Sequence, residues 1–186
     1  MLLKPGDIVA TRGKSWVSKA IRFFTRSIGE SRTKVNHIGI ITIGGAVTVA
    51  QITEALSTVQ QHSLWGKYGP PKGDDIAIFR YRPLSPEQAA GIQKGAQTEL
   101  GKRYGYLKIA AHVADYLLFN VYLFRRLCRM KNYPICSWLA AWLFKKNVNY
   151  EFGMPYEEVS PDDMWDWMNG HPLEWEVIWP LGQLHE

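Results

Sequence analysis

The sequence predicts an α+β fold, and three observations carry that prediction. Strand-like runs are grouped in the first half of the chain, at residues 8–11, 35–43, 46–55 and 75–81. Segments of helical period stand before and after them, at 15–28, 85–100, 106–124 and 136–146. No internal repeat or low-complexity tract interrupts the order, and runs of strands followed by runs of helices favour α+β over a parallel alternation.

Each element has a local reason. Pro5-Gly6-Asp7 is a turn, and residues 8–11 form a short strand behind it. In 15–28, Trp16, Ala20, Phe23 and Phe24 share one helical face, with Lys19, Arg22 and Arg26 outward. The strand at 35–43 meets Gly44-Gly45, a tight-turn signal, and a second strand at 46–55 completes a hairpin. Gly69 to Gly73 is a loop, and 75–81 alternates as a third strand. Ser85 as N-cap and Pro86 at the first helical position start a helix that runs to about Leu100. Cys136 opens another helix, Ser160 caps a last short one, and 175–179 reads as a closing strand.

Composition frames the partners. The 186 residues fit one domain over 1–186, with an extra apolar helix at about 106–124 inserted in it. Apolar residues at 46% and charged residues at 21% are an ordinary globular balance. A net charge of +5 suits an anionic surface or polymer without choosing among them. Cys128 and Cys136 do not make a disulfide framework. The first residues carry no apolar leader, so the expectation is a soluble chain that works where thiols stay reduced, cytoplasmic or phage-associated. The segment 106–124 holds Lys108, His112, Asp115 and Asn120, which argue for a core or lid helix rather than a membrane span. Arg125, Arg126, Arg129 and Lys131 behind it form a basic collar suited to an anionic membrane surface. His62, His112 and His171 lack ligand spacing, so no metal and no cofactor is expected. No phosphate loop or nucleic-acid motif is present, and most of the eight tryptophans are expected in the core.

The chemistry centres on Cys136. Pro134 and the apolar run after the cysteine place it in the first turn of a helix, where unpaired N–H groups and the helix dipole favour thiolate over thiol. Such a nucleophile also needs a base and an orienting group. If Gly44-Gly45 is a two-residue turn, Ile43 pairs with Ala46 and His37 lies opposite Ile52. Glu54 is then the diagonal neighbour of His37 on the same face, within side-chain reach. A three-residue turn would reverse the parity and separate the two.

These pieces resemble a known family. Gly6-Asp7-Ile8-Val9, then Asn36-His37-Ile38-Gly39-Ile40, then Thr53-Glu54-Ala55 with a trailing Val59, and a late Cys136-Ser137 look like the circularly permuted branch of the NlpC/P60 papain-like superfamily. The pattern is that of the YiiX/YaeF-like group, with a wider similarity to lecithin–retinol acyltransferase-like proteins. The resemblance spans roughly residues 6 to 143. It implies a permuted papain-like fold, in which a central antiparallel sheet or small barrel is packed by helices that include the nucleophile helix. It also implies a cysteine hydrolase with Cys136 as nucleophile, His37 as base and Glu54 as orienter. The Gly-x-x-Tyr stretch at Gly101 to Tyr104 makes Tyr104 a site-lining or oxyanion-side hydroxyl, or else a half-buried core tyrosine. The implied substrate is a peptide or acyl-amide, such as a cell-wall peptide, in a bacterium or its phage. Trp138 and the apolar run after it, together with the extra helix, depart from a simple hydrolase site. They keep open a thiol acyltransferase or lipid hydrolase at a membrane surface, and a non-enzymatic binding module of the same fold.

Overall fold

The computed structural model describes residues 1–13, 33–71, 73–103 and 136–185. The chain opens with β1 (Leu2–Leu3) and β2 (Ile8–Arg12). Then come β3 (His37–Ile43), β4 (Gly45–Ala46), β5 (Gln51–Ala55) and β6 (Val59–Ser63). A short helix α1 (Leu64–Tyr68) leads to β7 (Asp75–Tyr81). Three longer helices, α2 (Pro86–Glu99), α3 (Cys136–Val148) and α4 (Pro161–Gly170), precede β8 (Trp175–Gly182). The architecture is mixed α+β, with helices packed on an antiparallel sheet of strand order β6-β5-β3-β2-β7-β8. The strands β1 and β4 pair separately.

Alternation along the strands separates two apolar layers. Ile8, Ala10, Ile38, Ile40, Ala77 and Phe79 point to one face, where Ile92 and Ala96 of α2, Leu139 and Leu143 of α3, and Met164 and Met168 of α4 cover them. Val9, Ile41, Ile52, Ile76 and Ile78 point to the other face and meet Leu3, Leu64, Tyr68 and Leu184. A sheet buried on both faces explains why β2 and β3 read as apolar runs without clean alternation.

The capped helix starts hold. Ser85 and Ser160 each form a capping box, with Gln88 and Asp163, and each is followed by proline. The late aromatic residues are largely structural. Trp175 is fully buried among Tyr81, Phe144, Tyr150 and Phe152, and the Tyr150 hydroxyl accepts from the indole N–H groups of Trp167 and Trp175 while donating to Glu174. The apolar start of α3 has the same explanation: Trp138, Leu139, Ala140 and Ala141 are buried in the helix-covered core.

The hairpin differs from the expected one. Ile43 pairs with Gln51, not Ala46, and Gly39 pairs with Glu54, with a bulge between Ile41 and Ile43. Gly44-Gly45 is therefore not a two-residue turn. A Cβ on Gly44 would lie 2.6 Å from the Leu3 carbonyl oxygen, and Gly45 has φ +137°, so these glycines let β4 approach β1 closely. Because of that detour β5 begins at Gln51, five residues later than expected. The strand β6 and the helix α1 were not anticipated. The expected helices at 15–28 and 106–124 lie outside the described residues, as do Tyr104, Cys128, His112 and the basic collar. Among the described residues no helix is long and apolar enough to cross a membrane.

Candidate active site

Three elements bring the site together. Cys136 is the first residue of α3, His37 the first of β3, and Glu54 sits near the end of β5. The register places Gly39 opposite Glu54, so His37 is two residues along on the same face and diagonal to the carboxylate. The expected diagonal had the opposite sense, but the shift preserved the parity that puts His37 and Glu54 on one face. His37 Nε2 lies 3.1 Å from Glu54 Oε2. Gly39 makes the approach possible, because a Cβ there would fall 2.9 Å from Glu54 Cγ.

Glu54 has no solvent-exposed side-chain surface. A buried carboxylate must be compensated, and here the donors come from β3 and α1, with a further ring facing it from β6. Tyr68 donates its hydroxyl to Oε1 at 2.6 Å, and His62 Nε2 stands 3.7 Å from Oε2. Burial would raise the Glu54 acid, but the His37 charge, the hydrogen bonds from His37 and Tyr68 and the nearby His62 ring outweigh it and hold the carboxyl far below its usual range. The Tyr68 hydroxyl is pushed well up by burial and then by the Glu54 charge, so it stays a donor.

Cys136 is also buried and unpaired to any other cysteine. Burial alone would raise its thiol. The His37 charge, a hydrogen bond with His37 and backbone N–H groups of Ile38 and Ser137 reverse that and lower it. His37 shows the reciprocal effect: burial pulls its imidazolium down, yet the charges of Cys136 and Glu54, with hydrogen bonds to both, raise it to about 10. The thiol falls while the imidazole rises, and both shifts favour thiolate with imidazolium over the neutral pair. The arrangement can present a charged sulfur to an electrophile, with a proton held beside it and a carboxylate behind the proton.

Of the four residues singled out in the sequence, Cys136, His37 and Glu54 come together and Tyr104 lies outside the described residues. Sequence reasoning missed Tyr68 and His62. The signal for Tyr68 was present: Ser63 caps a turn in which Leu64 and Tyr68 share a face four residues apart. His62 gave none, because its relation to Glu54 depends on the pairing of β5 with β6.

Comparison with known proteins adds one strand of evidence. No family model matches the chain, and no curated protein matches it. Among solved structures it is similar to the metalloprotein yiiX from Escherichia coli O157:H7, DUF1105. The identity is 19%, the match covers 82% of this chain and 70% of that one, and the TM-score is 0.58. At this identity the likeness is one of fold, and it agrees with the YiiX-like group to which the sequence motifs pointed.

Proposed function

We propose that the chain is a cysteine hydrolase of a permuted papain-like fold, acting on an amide bond through an acyl-enzyme on Cys136. The observation that carries this reading is the line Glu54–His37–Cys136, in which the thiol stands at the start of a thirteen-residue helix and is lowered by the same imidazole that Glu54 holds. The thiolate attacks the carbonyl carbon, an S–C bond forms and the carbonyl electrons move to oxygen. Collapse of this adduct expels the amine, which takes the proton from His37. A water molecule then gives its proton to His37 and hydrolyses the thioester, releasing the acid and restoring the thiolate. Glu54 fixes the ring and offsets its charge throughout. The oxyanion meets backbone N–H groups at the helix start.

The description of yiiX as a metalloprotein does not carry over to these residues. Among the described residues no three His, Cys, Asp or Glu side chains are arranged to hold an ion. The nitrogens of His37 and His62 converge on one oxygen of Glu54, so the carboxylate itself occupies the point a shared cation would need. No step is routed through a metal.

Iodoacetamide labelling of Cys136 against pH tests the reading. The labelling midpoint is expected well below the ordinary thiol value of about 8.5, and to return toward it in His37→Ala. A wild-type midpoint near that value, unchanged by the substitution, would overturn the proposal. With an activated thiol established, a panel of peptide amides and ester lipids shows by mass spectrometry which class leaves an acyl group on Cys136.

A further inference from the structure

We propose that His62 is a second positioning histidine of this site, sharing Glu54 Oε2 with His37 and setting how much of that carboxylate's charge His37 receives. The inference rests on the thiolate–imidazolium reading above and deepens it. Three observations support it. Ile52 pairs with His62 across β5 and β6, and Gly39 pairs with Glu54 across β3 and β5. Glu54 therefore has a histidine on a diagonal from each neighbouring strand, both on its own face of the sheet. His62 Nε2 is buried, has no hydrogen-bond partner among the described residues and stands 3.7 Å from Oε2.

That distance is longer than a hydrogen bond but short for a charge interaction. A buried ring nitrogen left unpaired is costly, and the nearest compensation is the carboxylate it faces. The bland alternative, a solvated histidine on an edge strand, does not account for a buried Nε2. With thiolate, imidazolium and carboxylate all charged, the three groups sum to one negative charge. A proton on His62 offsets that charge but draws Glu54 away from His37. The other titratable groups facing this cluster are Cys136 from α3, Tyr68 from α1 and, acting on Tyr68, Asp74 before β7. Among the described residues none of them approaches Oε2 from the β6 side, where His62 faces the carboxylate.

The test follows the His37 ring directly by NMR titration of its Cε1–H signal in the intact protein, with Cys136 labelling run in parallel. In His62→Ala, His37 loses its competitor for Oε2. Its midpoint is expected to rise by about half a pH unit, roughly three-fold in its proton affinity. His62→Gln, which returns an N–H donor to the same row, is expected to bring the midpoint part of the way back. A thermal melt on each variant checks folding. An unmoved or lowered His37 midpoint in a folded His62→Ala would overturn the inference, since a merely structural residue changes the melt and leaves the midpoint in place. If neither variant folds, the wild-type curve decides: His37 must show a second inflection at the pH where the His62 ring signal titrates, and its absence refutes the coupling. The two readings fail separately. An ordinary Cys136 thiol sinks the hydrolase, while an activated thiol with a His37 titration insensitive to His62 sinks only this proposal.

Discussion

Gly39 pairs directly with Glu54, and a Cβ there would lie 2.5 Å from Ile52 Cδ1 and 2.9 Å from Glu54 Cγ. The glutamate cannot simply swing away, because one carboxylate oxygen is tied to Tyr68 and the other to His37. Gly39→Ala is therefore expected to cost about 1–3 kcal/mol of stability, as overpacked cores do, and to slow Cys136 labelling at neutral pH by shifting the carboxylate off the ring. A urea unfolding curve and the labelling rate check the two parts. Stability lost with the labelling unchanged would mean that Ile52 gives way and Glu54 stays. At this scale the sequence was informative where chemistry is local. A cysteine opening a helix and a glycine two residues after a histidine are visible without a fold. Tyr68 and His62 were not, since each matters only through its distance to Glu54.

Elements announced by their own residues match the sequence reading, as at 8–11 and 75–81 and at the capped helices, whereas the hairpin turn, set by a distant partner, does not. Ser85-Pro86 and Ser160-Pro161 announce their helices with caps a few residues long, and both boxes are present. In the second, Ser160 Oγ accepts from the Asp163 backbone N–H and donates to its carboxylate, while that carboxylate accepts the Ser160 N–H. The helix carries Met164 and Met168 into the core, so a frayed start loosens packing as well as hydrogen bonding. Ser160→Ala is expected to cost about 1 kcal/mol, which for a chain of this size lowers the melting temperature by roughly 2–4 °C. A thermal melt measures it, and a change below one degree would show the cap to be redundant. The hairpin was misread for the opposite reason. Gly44-Gly45 answers to β1 more than forty residues earlier in the chain, and no local rule contains that partner. The pairing of His37 with Glu54 nevertheless falls on the expected face, because the true register and the expected one differ by an even number of residues.

For the whole molecule, the site makes folding depend on pH in a way that its separate groups would not. His37 has a raised folded value, so its contribution is complete below the unfolded value of 6.5 and is lost as pH rises through about 10. Cys136 has a lowered folded value, so its contribution is complete above the unfolded value of 9.0 and fades as pH falls below it. Between 6.5 and 9.0 the two slopes oppose each other. Where both shifts span that window, the folded pair holds one proton, on the ring, and the unfolded pair also holds one, on the sulfur, so folding exchanges no proton with solvent. Below 6.5 the unfolded chain binds an extra proton, and above 9.0 it releases one, so the contribution falls on both sides. Glu54 adds a further loss as pH drops below its unfolded value of 4.5. The melting temperature of the wild type minus that of a Cys136→Ala, His37→Ala double variant isolates the pair at pH values above the Glu54 range, since groups remote from the site cancel. This difference is expected to be flat from pH 6.5 to 9.0 and to shrink at pH 5 and at pH 10.5. A difference that slopes steadily through pH 7 and 8 would mean that only one of the two groups is shifted, and the folded pair would then hold two protons or none rather than the one of a thiolate–imidazolium pair.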